Sequence, residues 1–364
     1  MIHDPRSEPV PLEYVRSIAD YMRSSGTSVE QWLAASELPA VELVRPQRTI
    51  PFSAFRRLVG AAMAATREPA LGLFVGQRTG ATSHGMVGAA AVHSGSVRQA
   101  LDTVARYAGT RTGLLTIRHA TEGDRQRVSF SGLVPLGDME RPVLELAVLS
   151  VKNILDEITL GTVGVIDVAF HFADPGYSAL ANEFFGCPVE YSQAWTGFEV
   201  PVSALDRRLH RPDPQAYEEA ADVCRRELRS IAENTSWAAR LRRIFLEHQD
   251  HSGFPSLHIA ARQLHLTPRT LHRRLEEEET SFREELDSVR HMLALSYLRS
   301  PRLGVREVAY RLGYTDTSNF RRAFKRWQGQ TPRETRSETG CNEREEPAER
   351  GAAGVPGDGS SVCG

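Results

Sequence analysis

Apolar residues recur at helical spacing through much of the first half of the chain. Leu12, Val15, Ile18, Ala19 and Met22 share one face of a first helix, and Phe52, Phe55, Leu58, Val59 and Met63 one face of a second. Ser96 offers an N-cap to a helix over 96–109 that turns Val97, Leu101, Val104 and Tyr107 inward. The period then drops to two. Leu115-Thr116-Ile117-Arg118 and Val128-Ser129-Phe130-Ser131 predict two strands around the polar turn Glu122-Gly123-Asp124-Arg125. Residues 142–160 read as helix again, 163–172 as strand, 177–185 as a short helix and 188–201 as further strand candidates. Helices and strands mixed without a regular βα alternation predict an α+β domain.

The polar run 206–217, with Pro212 and Pro214, ends that domain, so its expected extent is 1–210. A connecting helix follows within 211–234. Its apolar face, Tyr217, Ala221, Cys224, Leu228 and Ile231, either joins the domains or packs on a second copy of itself. Residues 235–336 carry a helical pattern throughout. Residues 337–364 are rich in Gly, Glu, Ser and Pro with almost no large apolar side chain. They bury too little to offset ordering entropy, and a disordered tail is expected.

The formal net charge of -2 over 364 residues hides an asymmetry. Residues 235–336 hold 19 Lys and Arg against 12 Asp and Glu, a net +7, whereas 337–364 carry -4 and the rest -5. A basic module inside an acidic chain points to nucleic acid as its partner. No apolar run reaches the roughly 18 residues of a membrane span. The first 15 residues lack the basic start and apolar stretch of a secretory signal. Cys187, Cys224, Cys341 and Cys363 show no metal-ligand spacing. The expectation is a cytoplasmic protein with no membrane partner, no metal and no cofactor.

The basic region contains an internal repeat. SLHIAARQLHLTPRTLHRRLEEE aligns with VREVAYRLGYTDTSNFRRAFKRW. Ala261 and Leu264 correspond to Ala309 and Leu312, 48 residues on. Leu271, Arg273 and Leu275 correspond to Phe320, Arg322 and Phe324, 49 residues on, so the second copy has one extra residue in its turn. Each copy has helix-turn-helix features: a small residue where two helices cross, then a turn residue suited to positive φ (Gly313, or less favourably His265), then a cap-type residue opening a second helix (Thr267-Pro268, Thr315-Asp316). Between the copies, Phe282, Leu286, Val289, Leu293 and Tyr297 face inward on a linking helix of about 17 residues, about 25 Å long. Two units held so can reach successive major grooves.

Residues 235–336 resemble the DNA-binding domain of AraC/XylS-type transcription regulators. The run from Ser281 to Arg336 carries the likeness, with Arg290, Ala294, Leu298, Val308-Ala309, Leu312-Gly313-Tyr314, Ser318, Phe320, Phe324, Gly329, Pro332 and Arg336. One departure is Glu279, where the family usually has Gly, which makes a left-handed cap less favourable by about 1 kcal/mol. The first 200 residues resemble the effector domain called arabinose-binding-like in part of this family, including ornithine- and arginine-responsive regulators. Gly85-Met86-Val87-Gly88, SGSVRQALDTVARY, DPGYSALANEFFGCPVEY and the GFEVP strand carry that likeness.

The resemblance implies a binding protein rather than an enzyme: a sequence-specific, effector-controlled transcription regulator, in most such cases an activator. Its partners would be double-stranded DNA, a small-molecule effector, RNA polymerase and a second copy in a homodimer. Arg269, His272, Arg273 and Arg274 on one recognition helix, and Ser318, Asn319, Arg321, Arg322 and Lys325 on the other, are the expected DNA-binding residues. Tyr107, Tyr191, Trp195 and Phe198 are the candidates for an effector pocket. The rival readings make the N-terminal domain an enzyme or a purely dimerising module. Against the first, 1–234 shows no nucleophile context, and the Gly85–Gly88 run lacks the lysine and spacing of a phosphate loop. His84, His93 and the His171-Phe172-Ala173-Asp174 run read as packed or surface side chains before they read as metal ligands. The run Glu276–Glu279 reads as a solvated helix end.

Overall fold

The computed structural model describes residues 8–36, 49–234, 236–247, 253–298 and 303–338. Of the expected disordered tail, 337–338 form the end of the last helix, and 339–364 lie outside the described residues.

The N-terminal domain begins with a short antiparallel pair, β1 (Pro9–Pro11) and β2 (Thr49–Pro51), in which Val10 faces Ile50. Around it lie α1 (Leu12–Ser24), α2 (Val29–Ala35), α3 (Phe52–Thr66), α4 (Leu71–Gln77), α5 (Gly85–Val92) and α6 (Val97–Tyr107). A hairpin of β3 (Leu115–Glu122) and β4 (Arg125–Gly132) follows, then α7 (Glu140–Thr159), β5 (Asp167–Ala169), α8 (Ser178–Phe185), β6 (Val189–Glu190), β7 (Gly197–Pro201) and α9 (Pro214–Asn234). Five strands form one sheet in the order β3-β4-β7-β5-β6, antiparallel except for β5 with β6. Val128, Phe130, Phe198 and Val200 are buried on the sheet, and α7 packs against β4 and β7. The domain is α+β, as its periodicity indicates.

The inward faces read from periodicity are buried: Leu12, Val15, Ile18, Ala19 and Met22 on α1, and Val97, Leu101, Val104 and Tyr107 on α6. The Ser96 hydroxyl accepts from the Gln99 amide at 3.2 Å and caps α6. One strand expectation needs correction: within 163–172 the strand covers only Asp167–Ala169. The strand candidates at 188–201 are β6 and β7. Val163 and Phe170 are buried outside the strand's bounds, although the Phe170 N–H still donates to the Glu190 carbonyl of β6 at 2.8 Å; an apolar run records burial, not strand length.

α5 is a helix of small residues whose sequence carries no periodic stripe. It exists because α5 must lie close to the single turn of 3-10 helix at Ala81–His84. A Cβ on Gly88 would sit 1.8 Å from the Ala81 carbonyl oxygen. α9 packs against α5 and α6, burying Ala221 and Cys224, while Ile231 stays 37% exposed.

Glu145 on α7 is a buried carboxyl in this core. The Tyr177 hydroxyl donates to its Oε1 at 2.7 Å, and Oε2 has no hydrogen-bond partner. Burial holds this carboxyl up at about 7, although Tyr177 and Arg141 both favour the charged form. The fold therefore binds a proton that the unfolded chain has released between about pH 4.5 and 7, and Glu145 destabilises increasingly as pH rises through that window. His84 acts in the opposite sense: burial lowers it from 6.5 to about 4, so its contribution is lost as pH falls through that range. The difference between the protein and Glu145→Gln isolates the first effect. Urea unfolding should show the variant gaining on the parent by up to about 3 kcal/mol between pH 4.5 and 8. An unchanged difference across that range would contradict the burial argument.

The C-terminal domain is all helical: α10 (Trp237–Glu247), α11 (Leu257–Gln263), α12 (Pro268–Glu277), α13 (Phe282–Leu298), α14 (Val305–Arg311), α15 (Thr317–Gln328) and α16 (Pro332–Glu338). It has its own core, including Leu241, Phe245, Leu271, Leu275, Val289, Leu293, Phe320 and Phe324. α13 spans 17 residues and packs against α10, α14, α15 and α16. Val289 and Leu293 are buried there as expected, with Phe282, Leu286 and Tyr297 partly buried against the same core.

Candidate nucleic-acid interface and ligand cavity

The repeat in sequence is a repeat in structure. Leu264 is the C-cap of α11, and His265 after it adopts φ 56; Leu312 is the C-cap of α14, and Gly313 after it adopts φ 76. The residue after each closes the turn with the same bond, Leu266 N–H to the Ala261 carbonyl at 2.9 Å and Tyr314 N–H to the Ala309 carbonyl at 3.0 Å. The extra residue of the second copy lies between Gly313 and the N-cap Asp316. Thr267 caps α12 by accepting from the Thr270 amide at 3.1 Å, with Pro268 in the first turn. Asp316 caps α15 by accepting from the Ser318 amide at 2.9 Å. Glu279, in the place of a glycine, takes φ 57, so the left-handed cap persists despite its cost.

Leu271 and Leu275 on α12, and Phe320 and Phe324 on α15, are fully buried. This fixes which faces remain outside. Arg269, His272 and Arg273 are exposed on α12, and Ser318, Asn319, Arg321, Arg322 and Lys325 on α15. Arg274 differs: it is half-buried, its guanidinium lies 5.9 Å from the Trp237 ring centre, and it donates to Glu277 at 3.1 Å. Asn319 Oδ1 accepts from Arg322 at 2.7 Å, so these two side chains are oriented together. Arg273 and His272 lie 3.6 Å from Glu277 and Glu276, exposed pairs of little energetic weight.

Three other residues hold this framework. Arg290 on α13 donates to the Leu312 carbonyl at 3.1 Å and packs under Tyr314. Arg336 is buried and donates to the Leu303 carbonyl. Glu278 is not simply a solvated helix end: its two oxygens accept from the Trp237 and Ala238 amides at 2.7 and 2.8 Å and cap α10. That role had no sequence signal, because the partner lies some forty residues earlier.

The N-terminal domain holds a partly open cavity of about 80 Å³ between α1, α3, α5, α6, β3 and α7. Its wall is apolar, with Val10, Phe55, Val87, Leu115, Ile117, Val143, Ala147 and Ile154, and Tyr14, His84 and Arg111 form a polar corner. The Tyr14 hydroxyl lies 3.4 Å from His84 Nδ1, and His84 Nε2 has no partner. Arg111 donates weakly to the Ser83 carbonyl at 3.4 Å and lies 3.8 Å from Glu13, and its Nε has no hydrogen-bond partner. Gly85, at φ 56, leaves room for this guanidinium: a Cβ there would stand 3.1 Å from it.

None of the four aromatic effector candidates lines this cavity. Tyr107 and Phe198 are fully buried in the core, Tyr191 packs parallel to Phe170, and Trp195 lies beneath Arg127 with 4.4 Å from guanidinium to ring centre. Among the described residues no group of three His, Cys, Asp or Glu could hold a metal ion, and His171 instead bonds Thr196 at 2.7 Å. No single described helix is long and apolar enough to cross a membrane.

Comparison with known proteins follows the same division. Residues 26–209 match the arabinose-binding domain found at the N-terminus of AraC transcription regulators, and residues 260–338 match a helix-turn-helix domain. The ornithine utilization regulator of Pseudomonas aeruginosa is 29% identical over 91% of this chain and 97% of its own length. The transcriptional regulator VirS of Mycobacterium tuberculosis is 26% identical over 89% of this chain and 95% of its own. A solved structure, the transcriptional regulator CdpR of Pseudomonas aeruginosa, covers 89% of this chain and 98% of its own at 24% identity and a TM-score of 0.44. An N-terminal ligand-binding domain followed by paired helix-turn-helix units, matched along nearly its whole length by regulators of transcription, places this chain in the AraC family of DNA-binding transcription regulators.

Proposed function

We propose that the chain acts in the cytoplasm as an effector-controlled activator whose helices α12 and α15 enter successive major grooves of double-stranded DNA. The observation that carries this reading is the pair of equivalent turns on either side of the 17-residue α13, each presenting an exposed basic helix face. Arg269, His272 and Arg273 read one groove; Ser318, Asn319, Arg321 and Arg322 read the next, and Lys325 neutralises phosphate. An Arg addresses guanine O6 and N7 together, and an Asn pairs similarly with adenine. Arg274, turned toward Trp237, supports the helix instead of reading bases. A homodimer doubles these contacts on direct repeats, and activation proceeds through contact with RNA polymerase.

The small-molecule effector occupies the cavity beside Arg111. Its route to the DNA-binding domain is short. Arg111 follows a turn of 3-10 helix at Ala108–Thr110 that packs against α9. Gly109 in that turn lies against Arg243 of α10, where a Cβ would come within 2.8 Å of the guanidinium. Arg118 of β3 donates to the Leu246 carbonyl at the end of α10. An effector that binds one arrangement of this contact better than another shifts the population presented to DNA.

Footprinting with Arg273→Ala and Arg322→Ala tests the two-groove arrangement. Each should weaken specific binding by roughly 1–3 kcal/mol. Their lost protections should be separated by about one helical turn, near 34 Å. Loss of protection over the same bases by both variants would exclude it.

A further inference from the structure

The cavity's chemistry selects among effectors. Arg111 is the one charged side chain among the described residues that line it, since His84 is held neutral by burial. No lining residue carries a carboxylate to receive an ammonium group. The guanidinium is only partly satisfied: it bonds the Tyr14 hydroxyl, but its Nε has no partner, its bond to Ser83 is long at 3.4 Å, and Glu13, beyond hydrogen-bond range at 3.8 Å, is also engaged by Arg16. Beside it, His84 Nε2 lacks a partner. In the tautomer that accepts the Tyr14 hydroxyl at Nδ1, Nε2 carries a proton with no partner, on a residue that lines the cavity beside Arg111. Two under-used donors at one end of an apolar chamber fit a ligand that is anionic at one end and apolar along its body.

We propose that the effector is a small monocarboxylate with an apolar body, its carboxylate held by Arg111 and His84 and its body packed against Val143, Ala147 and Ile154. This rests on the reading that the cavity is the effector site. About 80 Å³ has room for a short chain or single ring of roughly six to ten non-hydrogen atoms. A diamino acid fits poorly, because its side-chain ammonium would meet either the apolar wall or the Arg111 charge, both unfavourable without a counter-ion. The ornithine reading attached by name to the Pseudomonas relative therefore does not transfer to this chain.

Calorimetric titration of the full-length protein with hexanoate, hexanamide, hexylamine and ornithine tests the assignment, since the first three share one apolar body and differ in charge. Hexanoate should bind, with hexanamide at least about tenfold weaker and hexylamine and ornithine weaker still. Arg111→Gln should cost hexanoate at least about tenfold, and Arg111→Lys less. Hexylamine or ornithine binding as well as hexanoate, hexanoate affinity unchanged in Arg111→Gln, or no binding by any of the four would overturn the proposal. Should Arg111→Gln not fold, the ranking of the four ligands on the parent protein decides alone. Ala147→Phe, which fills the chamber, separates the two levels. If it leaves binding intact, the cavity is not the effector site; if it abolishes binding but the charge ranking is reversed, only the carboxylate assignment falls.

Discussion

Raising salt from 50 to 200 mM is expected to weaken DNA binding by roughly four powers of ten. Counterion release gives a slope of about 0.9 in log K per neutralised phosphate, and about eight contacted phosphates give a slope near -7. The region 235–336 supplies the charge, a net +7, in a chain whose net charge is -2. Exposed Arg269, Arg273, Arg321, Arg322 and Lys325 lie on the outer faces of the two recognition helices, where the buried Leu271 and Phe320 rows leave them. Glu276 and Glu277 beside His272 and Arg273 temper this field without cancelling it. Their pairs are exposed and 3.6 Å long, so phosphate replaces them readily. Fluorescence anisotropy across that salt range gives the slope directly. A slope shallower than about -2 would mean that shape and base contacts, not phosphate neutralisation, dominate the complex.

The DNA-binding half was legible because its determinants are local. Positive φ at His265 and Gly313, caps at Thr267 and Asp316, and the Leu271–Leu275 and Phe320–Phe324 pairs each lie within a dozen residues of the turn they build. The cavity was not legible, because Tyr14, His84, Arg111 and Val143 come from four distant parts of the chain and its apolar lining has the same pattern as core. The aromatic candidates Tyr107, Tyr191, Trp195 and Phe198 are not among the residues that line it. A signal did exist in Arg111, a lone cation between the apolar face of α6 and the start of β3, but one residue has no period. The strands β1 and β2, three residues each and containing prolines, are likewise too short to show alternation. His84 was read as a packed side chain, and it is buried; what its sequence neighbourhood did not reveal is the partner-free Nε2.

Two glycine-to-alanine changes should move stability in opposite directions, and the larger effect bears on the cavity. Gly60 lies within α3 with nothing within 4 Å of the position a Cβ would take. Gly60→Ala should therefore stabilise the N-terminal domain by about 0.4–1 kcal/mol through helix propensity and a less free unfolded chain. Gly88 lies within α5, where propensity alone would predict the same gain. There the added Cβ would stand 1.8 Å from the Ala81 carbonyl oxygen and 2.6 Å from its carbon, and backbone cannot rotate aside as a flexible side chain can. Either α5 or the Ala81–His84 turn must shift, and overpacking against rigid backbone puts the cost at about 3–5 kcal/mol, beyond the usual range for an added methyl. For a domain of about 200 residues this corresponds to a fall in melting temperature of roughly 6–20 °C. Because His84 ends that turn and Val87 precedes Gly88, the same shift deforms the cavity wall, and effector binding should weaken with stability. The C-terminal domain has a separate core, so DNA binding by the folded protein at low temperature should be retained. Scanning calorimetry of both variants, with DNA titration alongside, separates these effects. A Gly88→Ala protein as stable as Gly60→Ala would show that α5 and the turn do not approach as closely as described.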